Sequence, residues 1–165
     1  MPVRVIQTER IGYERKEIEL ILEKMDPESA FTVQRHVYYP YLFFEYMLNR
    51  KGFFHPLEGN IGCTVDGVNK IGALSDTFPR LEKKTVPREA VIKNTLELTD
   101  AEPIAENFLL NHIVNKKKIL SVPKLQLTKQ FLFYRPYWIV EGKSKESERF
   151  LLMVDAVSGK YHPLH

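Results

Sequence analysis

Tyr38-Tyr39-Pro40-Tyr41-Leu42-Phe43-Phe44-Glu45 and Tyr134-Arg135-Pro136-Tyr137-Trp138-Ile139-Val140-Glu141 place Tyr, Pro, Tyr and Glu at the same offsets. Downstream of each, in the same order, come Val65-Asp66-Gly67-Val68 and Val154-Asp155-Ala156-Val157. Two motifs repeated in order point to a duplicated unit. A strand turns alternate residues to opposite faces. One face of the first stretch is therefore Tyr38, Pro40, Leu42 and Phe44, and of the second Tyr134, Pro136, Trp138 and Val140. Both sets are apolar, so each is expected to pack on the helix of its own half. A proline within a strand marks an edge, a start or a bend, and here it recurs in both copies.

Working outward, residues 3–7 read as a short strand and Glu14–Met25 as a helix, with Ile18, Ile21, Leu22 and Met25 on its apolar stripe. Asp26-Pro27 ends that helix, because the residue before proline avoids helical angles. Residues 31–48 read as a long strand, 49–60 as a loop, 61–65 and 71–74 as strands around the Asp66 turn. The prolines and the charged run Arg80–Lys84 within 76–88 place a boundary there. Residues 90–93 then read as a strand. Asp100 caps a helix with Pro103 in its first turn, its stripe being Ala101, Ile104, Ala105, Phe108, Leu109 and His112. A strand at 125–141, a loop at 142–147 and a returning strand at 148–155 complete the second half. Val5-Ile6 matches Val91-Ile92, and Ile18 and Leu22 match Ile104 and Phe108. The expected fold is α+β, with two similar, pseudo-symmetric helix-plus-antiparallel-sheet units: 1–80, a connecting segment 81–98, and 99–165.

A chain of 165 residues is long enough for one ordinary domain or two small ones. Its net charge of +3 is too small to argue for nucleic acid, which calls for a concentrated basic face. The densest basic run, Lys116–Lys118, reads as a solvated helix end that complements the helix dipole. Cys63 is the sole cysteine, so no intrachain disulfide or cysteine zinc site forms, and an inert buried thiol is expected. No apolar run approaches the roughly 20 residues of a membrane-spanning helix. No apolar stretch follows Met1-Pro2-Val3-Arg4, and a cytoplasmic protein is expected.

The second strand face carries Tyr41 and Glu45 in one copy and Tyr137 and Glu141 in the other. Two readings are open. The tyrosines cover a sheet face with the glutamates at its wet end, or the four residues form an aromatic groove for a peptide or small ligand. Tyrosine suits either role, being a large apolar body with a polar tip. Asp66 and Asp155 open turns by bonding their own backbone two residues on, with a pair of acid–base or metal-binding carboxylates as the alternative. Gly159 fits a left-handed turn position. The aligned residue is Lys70, and Asn69 is expected to take that role instead.

His112 reads as a core or rim residue, and His162 and His165 as part of a tail. No metal or cofactor is called for. The chain has no P-loop, dinucleotide glycine fingerprint, His-Glu-x-x-His or Gly-x-Ser-x-Gly.

Tyr137–Glu141 followed by Val154-Asp155-Ala156-Val157-Ser158-Gly159-Lys160, with a helix before them, resembles a PepSY-type domain. The resemblance implies a helix against an antiparallel sheet, no catalytic residues to carry over, and a role as an accessory or protease-regulating module. The function expected is thus a non-enzymatic binding or regulatory module that meets a protein or peptide through its aromatic sheet surface. The alternatives are an enzyme with carboxylates among Asp66, Asp155, Glu45 and Glu141 in a cleft between the halves, or an oligomerising protein, such as a homodimer, joined by its edge strands.

Overall fold

The computed structural model describes residues 2–49, 59–75, 77–117 and 124–164. The element order is β1 (Val3–Glu9), α1 (Arg15–Met25), β2 (Ala30–Asn49), β3 (Gly59–Asp66), β4 (Gly72–Ser75), β5 (Leu81–Pro87), a 3-10 turn (Arg88–Ala90), α2 (Leu98–Lys117), β6 (Lys124–Lys143), β7 (Arg149–Asp155) and β8 (Tyr161–Leu164). The protein is α+β, with two α-helices and a mostly antiparallel sheet among the described residues. No helix among the described residues is long and apolar enough to cross a membrane. Most of the loop expected at 49–60, with His55, lies outside the described residues, as do Lys118 and His165.

The chain forms two compact units. The first is Met1–Tyr39, Arg80–Ile92 and Tyr134–His165; the second is Pro40–Pro79 and Lys93–Phe133. Each unit draws on both halves of the sequence. β2 gives its residues up to Tyr39 to the first unit and the rest to the second; β6 is divided between Phe133 and Tyr134.

In the second unit, neighbouring strands run β4-β3-β2-β6. α2 lies on the face formed by Leu42, Phe44, Tyr46, Cys63 and Val65, burying Ala101, Ala105, Leu109 and, further along, Ile113. In the first unit, β7 pairs with β6 and β8 with β7, while β1 pairs with β5. There α1 buries Ile18 and Leu22 against Val33, Trp138, Val140, Leu152 and Val154. Met25, placed on the stripe by its spacing, is exposed.

Each helix therefore packs chiefly on strand residues from the other half of the sequence, α1 on Val33 and Phe31 of its own half as well, which corrects the expectation of own-half packing. The reason is length. α1 has 11 residues, roughly 17 Å at 1.5 Å per residue. β2 has 20, roughly 65 Å of extended chain. A short turn joins α1 to the start of β2, so α1 packs on Phe31 and Val33 there. Leu42 and Phe44, in the second unit, are covered by α2.

Other departures are local. The charged run at 80–84 begins the edge strand β5, which pairs with β1 from Val3↔Pro87 to Glu9↔Leu81. The strand expected at 90–93 is instead the end of the 3-10 turn and a single bridge, Tyr38↔Val91. α2 starts at Leu98, so Asp100 lies within its first turn and Pro103 inside the helix. α1 has a capping box between Glu14 and Glu17, which satisfies two backbone donors at its start.

Candidate functional site

The two Val-Asp turns share the same bonds. Asp66 Oδ1 accepts from the backbone N–H of Val68 (2.8 Å) and of Asn69 (2.9 Å). Asp155 Oδ1 accepts from those of Val157 (2.8 Å) and Ser158 (3.2 Å). The Gly67 N–H donates to the Pro40 carbonyl, and the Ala156 N–H to that of Pro136, both at 3.0 Å. Lys70 has φ 61° and Gly159 φ 78°. Lys70, not Asn69, thus takes the left-handed position, where the Cβ of an L-residue is crowded. The turn tolerates it because the Lys70 N–H still closes on the Asp66 carbonyl at 3.0 Å.

The residues of the second strand face part company in their surroundings. Tyr137, in the first unit, is buried and meets Tyr39 edge-on, 6.1 Å between ring centroids. Glu141 accepts from Gln34 (2.8 Å) and pairs with Arg149 (3.2 Å). In the second unit, Tyr41 is half-buried and stacks on Phe133 at 5.8 Å. Glu45 is half-buried and accepts from the Thr128 hydroxyl at 3.1 Å.

Within a unit the candidate carboxylates do not meet. Tyr41 pairs with Asp66 and Glu45 with Gly62 across β2 and β3. Asp66 and Glu45 therefore sit four register steps apart, roughly 13 Å. Asp155 and Glu141 stand in the same relation across β6 and β7. Asp155 instead joins a half-buried network: Arg135 Nε donates to Asp155 Oδ2 at 2.8 Å and Arg135 Nη1 to Glu9 Oε2 at 2.7 Å. Burial raises the Glu9 pKa against the lowering pull of Arg135. Arg135 is held fully charged by the two carboxylates, which outweigh its desolvation. Among the described residues no three His, Cys, Asp or Glu side chains gather as a metal site would require.

The strongest concentration of binding chemistry is in the second unit. Tyr41, Phe133, Phe131, Phe43 and Phe78 form a continuous aromatic series, with successive centroids 5.8, 6.0, 5.0 and 5.2 Å apart. Alternation along β2 and β6 places four of them on one face, turned away from the face that packs on α2. Phe78 is 48% exposed. A pocket of about 380 Å³ adjoins this series, with Phe43, Glu45, Ile61, Phe78, His112 and Ile113 in its walls. That volume is within the range of roughly 300–1,000 Å³ usual for small-ligand sites.

Sequence spacing reached Tyr41 and Glu45 but not Phe43, Phe78 or Phe131. The alternation Phe131-x-Phe133 opposite Tyr41-x-Phe43-x-Glu45 carried the signal for two of these. Phe78, between a bend and Pro79, carried none. His112 is half-buried at the pocket wall and stacks on Phe108 at 6.3 Å.

Other reactive side chains are set apart from this pocket. Burial under α2 pushes the Cys63 thiol up to about 12, leaving it protonated and unreactive. His36, in the first unit, lies with its ring centroid 3.4 Å from that of Trp138. Burial, with Lys84 and Arg15 nearby, lowers its pKa to about 4.

No family model matches the chain, and no curated protein or solved structure matches it.

Proposed function

We propose that the protein is a non-enzymatic binding module whose contact is the aromatic face of the second unit. The observation that carries this reading is the Tyr41–Phe133–Phe131–Phe43–Phe78 series continuing into a pocket with an exposed phenylalanine at its margin. Aromatic side chains offer large contact area at small entropic cost, which favours such surfaces in recognition. The occupant is an apolar group of a peptide or small ligand. A fluorescent apolar dye such as Nile red should brighten on the native protein and fail to brighten on Phe78→Ala, with the thermal transition unchanged. Equal brightening on both proteins would defeat the reading.

We further read the two halves as diverged copies of one pseudo-symmetric unit. This is supported by equivalent registers, Tyr41↔Asp66 and Tyr137↔Asp155, and by the matched turn bonds. It is also supported by the Thr95 N–H donating to the Gly67 carbonyl as the Gly12 N–H donates to that of Ala156. The PepSY-like character of the second half belongs to the same proposal. The order α2, long strand β6, hairpin β7 and returning strand β8 agrees with it. On that reading the module regulates a protein partner rather than transforming a substrate.

A further inference from the structure

In the first unit three rings stand in series with a cation at each end. His36 lies between Trp138, its ring centroid 3.4 Å away, and Tyr38, 6.1 Å away. The Arg15 guanidinium is 5.5 Å from the Trp138 centroid, and the Lys84 ammonium is 5.9 Å from that of Tyr38. Both cations are close enough to His36 to lower its pKa. Among the described residues neither has a carboxylate within ion-pair distance. Glu82 on β5 pairs with Arg10, Glu141 on β6 pairs with Arg149, and Glu14 and Glu17 close the capping box at the Arg15 end of α1. An aromatic face attracts a cation but carries no net charge, so the two positive charges remain uncompensated. Arg15 also donates to the Val33 and Gln34 carbonyls, which fixes its guanidinium beside Trp138. His36 is half-buried, and its Nδ1 is buried with no hydrogen-bond partner. Nε2 is therefore the nitrogen left to meet a ligand. Two cations with an imidazole N–H between them suit an oxyanion, whose several oxygens accept charge-assisted bonds.

We propose that Arg15, His36 and Lys84 form a binding site for a phosphate group, either the free ion or a phosphomonoester. Arg15 and Lys84 supply the charge, and His36 donates from Nε2. The inference involves residues of the first unit alone and goes beyond the aromatic contact proposed for the second, so either can fail without the other.

Trp138 is the sole tryptophan, so intrinsic fluorescence reports from the site itself. The test titrates inorganic phosphate and methyl phosphate at neutral pH, each exchanged for chloride at constant ionic strength. A saturable change in Trp138 emission is expected with both probes. Tighter binding of methyl phosphate assigns the site to an esterified phosphate, and tighter binding of inorganic phosphate to the free ion. Lys84→Gln should weaken binding about tenfold, the loss of one charge-assisted contact. Lys83→Gln removes the same charge from the opposite face of β5 and should leave binding unchanged. Equal weakening by the two variants would overturn the inference, because diffuse attraction to a basic surface would then suffice. So would the lack of a saturable change on the native protein with either probe. That titration needs no variant, so a folding defect in Lys84→Gln cannot obscure it.

Discussion

The turn at Asp66 and the turn at Asp155 make the same backbone bonds at the same register positions, yet they have different neighbours. Asp155 is buried and also holds Arg135, which reaches Glu9 on β1. Asp66 is half-buried, and its carboxylate accepts from Val68 and Asn69 of its own turn. When Tyr38 is aligned with Tyr134, the residue standing where Arg135 stands is Tyr39. The difference teaches that turn chemistry is set locally, by the aspartate and the chain reversal. At Asp155 the turn is also tied, through Arg135 on the neighbouring strand, to Glu9.

Arg135→Met should break this comparison most severely. It strands two carboxylates without their cation, at a cost of about 3 kcal/mol, read from the urea midpoint. Next comes the contrast between the aspartates. Asp155→Ala should cost about 2 kcal/mol and Asp66→Ala about 1, since both lose the turn bonds and only the former leaves Arg135 uncompensated. Equal losses would mean that the ion pairs add nothing to the turn.

The long strands offer a second contrast. His36 aligns with Leu132, so one long strand carries a titrating group where the other carries none. The folded-state pKa of His36, about 4, lies below its ordinary 6.5. Between these values the unfolded chain binds the proton more readily, so stability falls as pH drops from 6.5 toward 4. His36→Leu should flatten that part of the stability curve, and denaturation across this range would show it. Smallest is the exchange at the left-handed position. Lys70→Gly should stabilise by about 0.5 kcal/mol, while Gly159→Lys should destabilise by about 1, both seen as shifts in melting temperature.

Much of the architecture could be read from the chain because its causes are local. Alternation, proline and Val-Asp spacing mark β2, β6 and both turns. The stripes of α1 and α2 follow from their period. What could not be read was which strand face each helix covers. Periodicity says that Leu42 and Phe44 need cover, but not that Ala105 and Leu109 provide it. β5 was hidden for a related reason. Leu81–Pro87 carries three charges in seven residues, with Val86 its one fully buried residue, and its strand state comes from pairing with β1 far away in sequence. Tyr41 and Glu45 were legible by spacing. The pocket beside them was not, because Phe43, Phe78, Phe131 and His112 meet through register and helix placement.

Cys63 lies with no exposed surface beneath α2, its sulfur 3.9 Å from the Ala105 carbonyl. A thiol so enclosed can meet a dissolved reagent only during the moments when helix and strand come apart. The rate at which it is modified is therefore a clock for breathing of the second unit, written into the sequence once and requiring no label. Run with and without ligand, that clock would report how firmly an occupant closes the unit it binds.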